Sequence, residues 1–214
     1  YKPYDVMLDT NPANDPANDD DDFIEGTGEA YGMELLLKRS TGKLTGWLGY
    51  TWARLNKEID FNSDGEIVAG DGEVYNPKYD RPHTFNMVLS YQWSHRTSLG
   101  LTVSVSSGQP YTPVWGKTYT QSDFGSYTQP YMNLRTIPGT RNSARIPPYI
   151  RADISWARDI HPFGIDGRLK FQVINFTNHF NVLLYSWSHN KSPSEVTAVS
   201  MFPILPTIGL EFKL

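Results

Sequence analysis

The chain has 214 residues, a formal net charge of -4, 39% hydrophobic and 14% aromatic residues, and no cysteine. These values exclude a disulfide frame and a thiolate metal site, and they leave no basic footprint for nucleic acid. A mean hydropathy of -0.47 without any apolar run of about 18 residues excludes a helical membrane protein, but not one that crosses with short, half-apolar strands.

The length suits one large β domain. The 13 Tyr and 6 Trp suit an aromatic girdle at a membrane interface. The chain opens at Tyr1 with neither Met nor a signal peptide, so it is expected to be a mature fragment or part of something longer. Residues 1–28 read as a loop. Asp15 and Asp19 to Asp22 stand among Asn and Pro without periodicity, as in a solvated acidic loop, with a cation site as the minor alternative.

The first strand is expected over 29–38, with Tyr31, Met33, Leu35 and Leu37 on one face and Leu36 as the exception on the other. Residues 39–43 make a short turn with Gly42. A second strand over 44–55 sets Leu44, Leu48, Tyr50 and Trp52 against Thr45, Gly49, Thr51 and Ala53, with Trp47 out of pattern. A long connection over 57–80 follows. Then Phe85, Met87, Leu89, Tyr91 and Trp93 alternate with Asn86, Val88, Ser90 and Gln92. After the polar turn 94–97, Leu99, Leu101, Val103 and Val105 alternate with Gly100, Thr102, Ser104 and Ser106. A second long connection covers 108–147. Strands are expected at 148–160 and 167–178, joined by a short turn at 161–166. A third long connection covers 181–203, and a last strand runs over 207–214.

Two architectures alternate in this way. A soluble sandwich turns its apolar residues inward, and a membrane barrel turns them to lipid. The polar face here is Thr, Asn, Ser, Gln and Gly rather than Lys and Glu, which favours a lumen. The connections alternate long and short, which a barrel explains through long extracellular loops and short periplasmic turns. The expected fold is therefore all-β, an antiparallel transmembrane β-barrel segment of about seven strands. Phe85, Met87, Leu89, Leu101, Val103 and Val105 are expected to face lipid, and Asn86, Ser90, Gln92, Thr102 and Ser104 the lumen. Residues 1–28, 57–80, 108–147 and 181–203 are expected outside the cell. Seven strands cannot close around a plug, and open edges in hydrocarbon are too costly to leave. The chain is thus expected to be an arc whose strand 29–38 has an N-terminal-side partner that the chain itself does not supply.

The run Tyr75-Asn76-Pro77-Lys78-Tyr79-Asp80-Arg81-Pro82-His83 before an alternating strand resembles the C-terminal barrel of TonB-dependent outer-membrane receptors. So do Gly46-Trp47-Leu48-Gly49-Tyr50-Thr51-Trp52, Ile146-Pro147-Pro148-Tyr149-Ile150-Arg151-Ala152-Asp153, Val173-Ile174-Asn175-Phe176-Thr177-Asn178 and Phe202-Pro203-Ile204-Leu205-Pro206-Thr207-Ile208-Gly209-Leu210. The resemblance implies a 22-stranded barrel in the bacterial outer membrane, plugged by an N-terminal domain. It implies energised uptake of a scarce nutrient, an iron chelate, a cobalamin or a glycan. The implied partners are the remaining barrel strands, the plug, TonB, and outer-membrane lipid or lipopolysaccharide. The chain departs from the family in lacking the plug and TonB-contacting segment, and in ending on Leu214 where Phe is common. From another class, a soluble β-rich carbohydrate-binding module would also use the many Tyr and Trp.

Residues 60–71 follow the spacing of a twelve-residue calcium loop. Asp60, Asn62 and Asp64 stand at positions 1, 3 and 5, Gly65 at the sharp turn, the Glu66 carbonyl at 7 and Asp71 at 12. Oxygen ligands at alternate positions can wrap one hard cation. Asp71 replaces the usual Glu and shortens the closing arm, and the bland reading is a solvated Asp-Gly turn. No other cofactor is expected. Arg135, Arg141, Arg145 and Arg151 cluster in and after the longest connection, as solvated charge or as contacts for an anion. His83, His95, His161, His179 and His189 have no metal spacing, and no Ser, His and Asp set suggests an enzyme. If the loop binds calcium, calorimetry on the folded protein should show a titration that Asp60→Ala and Asp64→Ala abolish; identical titrations in all three would remove the site.

Overall fold

Each strand of period two carries one apolar and one polar row, and its two backbone edges need partners. A computed structural model describes residues 2–4, 9–10, 23–24, 26–59, 74–121, 132–188 and 195–212. The early strands are β1 (Lys2–Tyr4), β2 (Asp9–Thr10), β3 (Phe23–Ile24), β4 (Gly26–Arg39), β5 (Leu44–Ile59) and β6 (Val74–Tyr75). The middle ones are β7 (His83–Ser94), β8 (Thr97–Ser106), β9 (Pro110–Tyr111), β10 (Val114–Gln121), β11 (Met132–Pro138) and β12 (Ala144–Arg145). The last are β13 (Tyr149–Ile160), β14 (Gly167–Ile174), β15 (Val182–Ser188), β16 (Glu195–Ser200) and β17 (Leu205–Phe212). The chain is all-β with antiparallel sheets.

The main sheet runs β1-β4-β5-β7-β8-β13-β14-β17, with β6 on the end of β5. The seven long strands occupy the stretches that alternate in the sequence. Their registers keep the two rows apart over the full width. Leu37 lies opposite Leu48, and Leu48 opposite Met87. Met87 lies opposite Val103, and Val103 opposite Ala152. Further along, Leu101 meets Ile154, Ile154 meets Val173, and Phe171 meets Ile208. On the other face Asn86 lies opposite Gly49 and Ser104, Thr102 opposite Asp153, and Gln172 opposite Ser155 and Thr207. Ser104 Oγ donates to Asn86 Oδ1 at 2.7 Å, so these two side chains share the polar face.

No dry core lies between two layers of the described residues. Their only buried hydrophobic residues are Tyr75, Ala152 and Val182. Phe85, Leu89 and Leu101 are half-buried by their strand neighbours. Met33 is 66% exposed and Ile208 77% exposed on the same apolar face.

Several expectations change. Residues 1–28 are not all loop: β1, β2 and β3 lie there, and β1 pairs with β4 from Gly28 to Ala30. The chain therefore supplies part of the partner that strand 29–38 was expected to find elsewhere, although β1 stops at the level of Ala30. The long connections also carry strands, the hairpins β10–β11 and β15–β16 and the short pair β9–β12. Their Val, Tyr, Trp and Thr favour pairing locally, despite the Gly and Pro nearby. β14 ends at Ile174 because Asn175 takes φ 51, a left-handed conformation that breaks the ladder.

Gly46 shows how tightly two ladders meet. Its φ is +149, and a Cβ there would lie 2.1 Å from the Val88 carbonyl oxygen. Gly46→Val should therefore cost about 1–3 kcal/mol and lower the denaturation midpoint. Gly49→Ala, whose added carbon would meet the Trp47 ring at 3.4 Å and the Leu36 side chain at 3.9 Å, both ordinary contacts, should stay within about 0.5 kcal/mol of the parent.

Candidate functional site

All three long connections leave the main sheet at one end and the short turns at the other, because the long strands alternate in direction. The long-connection end is organised by two hubs of buried polar side chains. The first is Asp80. Pro77 and Asp80 close a turn, with the Asp80 N–H donating to the Pro77 carbonyl at 2.8 Å. The turn tucks the Asp80 side chain to 0% exposure. A buried carboxylate is costly unless paired and hydrogen-bonded. Here Oδ1 accepts the Leu55 N–H at 3.0 Å, and Oδ2 accepts Arg145 Nη2. Arg145 Nη1 also donates to the carbonyls of Asp80 (2.8 Å) and Gly108 (3.1 Å). One ion pair thus joins β5, the turn before β7, the start of the 108–147 connection and β12.

Neighbouring contacts extend this hub. Asn76 Nδ2 donates to the Leu55 carbonyl at 2.8 Å, and Asn142 Nδ2 to the Asn76 carbonyl at 2.8 Å. Asn142 sits at φ 49, with its N–H donating to Thr112 Oγ1 at 3.0 Å. The Arg141 guanidinium lies 4.2 Å from the centre of the buried Tyr75 ring, a cation–π contact.

The second hub joins Asp153 and Asn175. Arg151 Nε and Nη2 fork onto the Asp153 carboxylate at 2.9 and 2.6 Å. The Asn175 N–H donates to Asp153 Oδ1 at 2.8 Å. The left-handed turn at Asn175 aims Nδ2 at the carbonyls of His179 (3.1 Å) and Phe202 (3.2 Å). Asn181 completes it from the next stretch of chain. Its Oδ1 accepts the Ile150 N–H and its Nδ2 donates to the Ile150 carbonyl, both at 2.8 Å, so its amide pairs with β13 as a strand would.

Beside this hub is a concavity of about 750 Å³, bounded by Arg151, Asn175, Asn181, Leu183, Met201 and Phe202. Its walls are mainly aliphatic and aromatic, and Arg151 with two amides supplies the polar edge. Such a recess can take an organic body with a hydrogen-bonding rim. It opens on the polar face, since Arg151 lies opposite Ser104.

The candidate calcium residues Asp60, Asn62, Asp64, Glu66 and Asp71 lie outside the described residues. Arg135 stands in β11, opposite Thr118. Arg141, Arg145 and Arg151 are engaged as above rather than left as solvated charge. The histidines stay scattered: Nδ1 of His83 is 2.8 Å from the Tyr50 hydroxyl, and Nδ1 of His161 is 2.7 Å from Asp166. Among the described residues no group of three metal-ligating side chains comes together. Asp80, Asn175 and Asn181 have no role that spacing alone reveals. The available signal is an acid or amide within an apolar, proline-bounded stretch. Compared with protein-family models, curated proteins and solved structures, the chain finds no match.

Removing the counter-ion of a buried carboxylate is the harsher change. Arg145→Gln should destabilise by about 3 kcal/mol, whereas Asp80→Asn, which keeps an oxygen for the Leu55 N–H, should cost about half as much. Hydrogen exchange at the Leu55 amide should rise in the first variant and change less in the second.

Proposed function

We propose that this chain is the C-terminal arc of an outer-membrane β-barrel of the TonB-dependent receptor kind, serving the energised uptake of a scarce nutrient such as an iron chelate, a cobalamin or a glycan. The observation that carries this reading is the uncovered apolar face. Register continuity extends it across seven strands, and its members include Met33, Leu35, Leu37, Ile154, Phe171, Ile208 and Leu210, all exposed. In water so wide an apolar surface would drive aggregation, and in lipid it is the stable arrangement. The opposite face is mostly small and hydrogen-bonding, as a lumen requires.

Dimensions support the same reading. From the level of His83 to that of Arg158 the apolar face spans about 33 Å along the strands, at about 3.3 Å per residue. A tilt of about 40° reduces this to about 25 Å, the height of a barrel's lipid-facing band. Aromatic residues mark both limits. Tyr31 and Trp52 meet edge to face with centroids 6.0 Å apart at one end, and Tyr91 and Trp93 at 6.4 Å near the other.

In this reading the long-connection end faces outward and the short turns face the periplasm. The edges of β4 beyond Ala30 and of β17 take the remaining barrel strands, and the polar face meets the plug. The concavity beside Arg151 then opens to the transport path. TonB is engaged by the part of the receptor that precedes this arc.

Substitutions on the two faces separate this reading from a soluble module. Met87→Arg should cost about 2–4 kcal/mol in a bilayer, while Ser90→Arg should be far milder. The absence of native cysteine allows single-cysteine spin labels along 84–92, whose accessibility to oxygen should alternate with a period of two. Equal costs, or labels that all sit in water without detergent, would overturn the membrane reading.

A further inference from the structure

We propose that the short-turn end of the apolar face binds the phosphate of an anionic lipid headgroup through Arg158; this rests on the membrane reading above. The register puts Arg158 opposite Thr97 and Leu169, one step beyond Trp156, which lies opposite Leu99 and Phe171. Arg158 is therefore on the apolar face, and it is exposed. Arg96 belongs to the other row, opposite Asp159, whose N–H its carbonyl accepts at 2.8 Å.

The Arg158 guanidinium has no hydrogen-bonding or charged partner among the described residues. The acids at this end are already engaged. Asp159 lies 3.6 Å from Arg168 on the polar face, Glu211 is paired with Lys170, and Asp166 meets His161 at 2.7 Å. An unpaired cation on a lipid-facing row is costly at mid-bilayer and tolerable at the rim, where the side chain reaches headgroup oxygens. The rim position is marked by Tyr91 and by Trp93, which is 68% exposed. A guanidinium fork matches phosphate oxygens. The apolar row continuing through Ile154 and Phe171 gives the acyl chains of the same lipid a surface to lie along. This favours a lipid over free phosphate. Net attraction is no alternative explanation, since the chain carries a formal charge of -4.

The test is flotation of the refolded full chain with phosphatidylcholine vesicles, with and without phosphatidylglycerol. The chain should bind both and prefer the anionic vesicles. Arg158→Gln should reduce that preference about fivefold. Arg158→Lys should retain most of it, and Lys170→Gln, on the polar face, should leave it unchanged. Binding to neither vesicle would overturn the membrane reading together with this inference. Binding to both without preference, or with a preference that survives Arg158→Gln, would overturn the lipid site alone.

Discussion

A strand slipped by one residue against its neighbour would turn its whole apolar row to the opposite face. The long ladders of this sheet contain no such slip from β4 to β17 over the central rows. Everything else depends on that agreement of phase. It makes one face mainly apolar and the other mainly polar, with Leu36, Trp47 and Val88 as the exceptions on the polar side, and it places Arg158 at the apolar rim rather than among the acids of the polar face. Glycine helps maintain it where two ladders press together, at Gly46. The sheet holds by backbone hydrogen bonds and cross-strand pairs, since its described residues do not pack a second layer.

The long-connection end obeys a different constraint. There, chain segments without regular alternation must satisfy their backbone groups in other ways. Asp80 and Arg145 do this with one half-buried ion pair and several carbonyl contacts, Asp153 with a carboxylate that accepts the Asn175 N–H, and Asn175 and Asn181 with amides that pair with backbone. Buried polar groups of this kind contribute geometry as much as stability, because each has few ways to be satisfied. Ordered connections are what a recess such as the one beside Arg151 needs in order to keep its shape.

These two regimes give the proposed roles separate physical bases. The proposed membrane-embedded arc rests on the apolar face, its height and its aromatic limits. A place for a polar-rimmed organic ligand follows from the connections and the face behind them. The proposed lipid contact arises where the first regime ends, since Arg158 continues the apolar row past Trp156.

The seven long strands were legible in the sequence because alternation is a local property, written in consecutive residues such as Phe85, Met87 and Leu89 against Asn86 and Ser90. The all-β class and the two faces follow from it. The short strands within the connections were not legible. Pairs such as Tyr185 with Ala198 depend on segments that meet only after the loop folds back. The partners of Asp80 and Asn175 were hidden for the same reason: Arg145 lies 65 residues from Asp80, and the Phe202 carbonyl 27 from Asn175. Periodicity by itself determined which residues share a face. Only the tertiary structure decided which buried charges and amides meet, because those pairings depend on separations that no local pattern records.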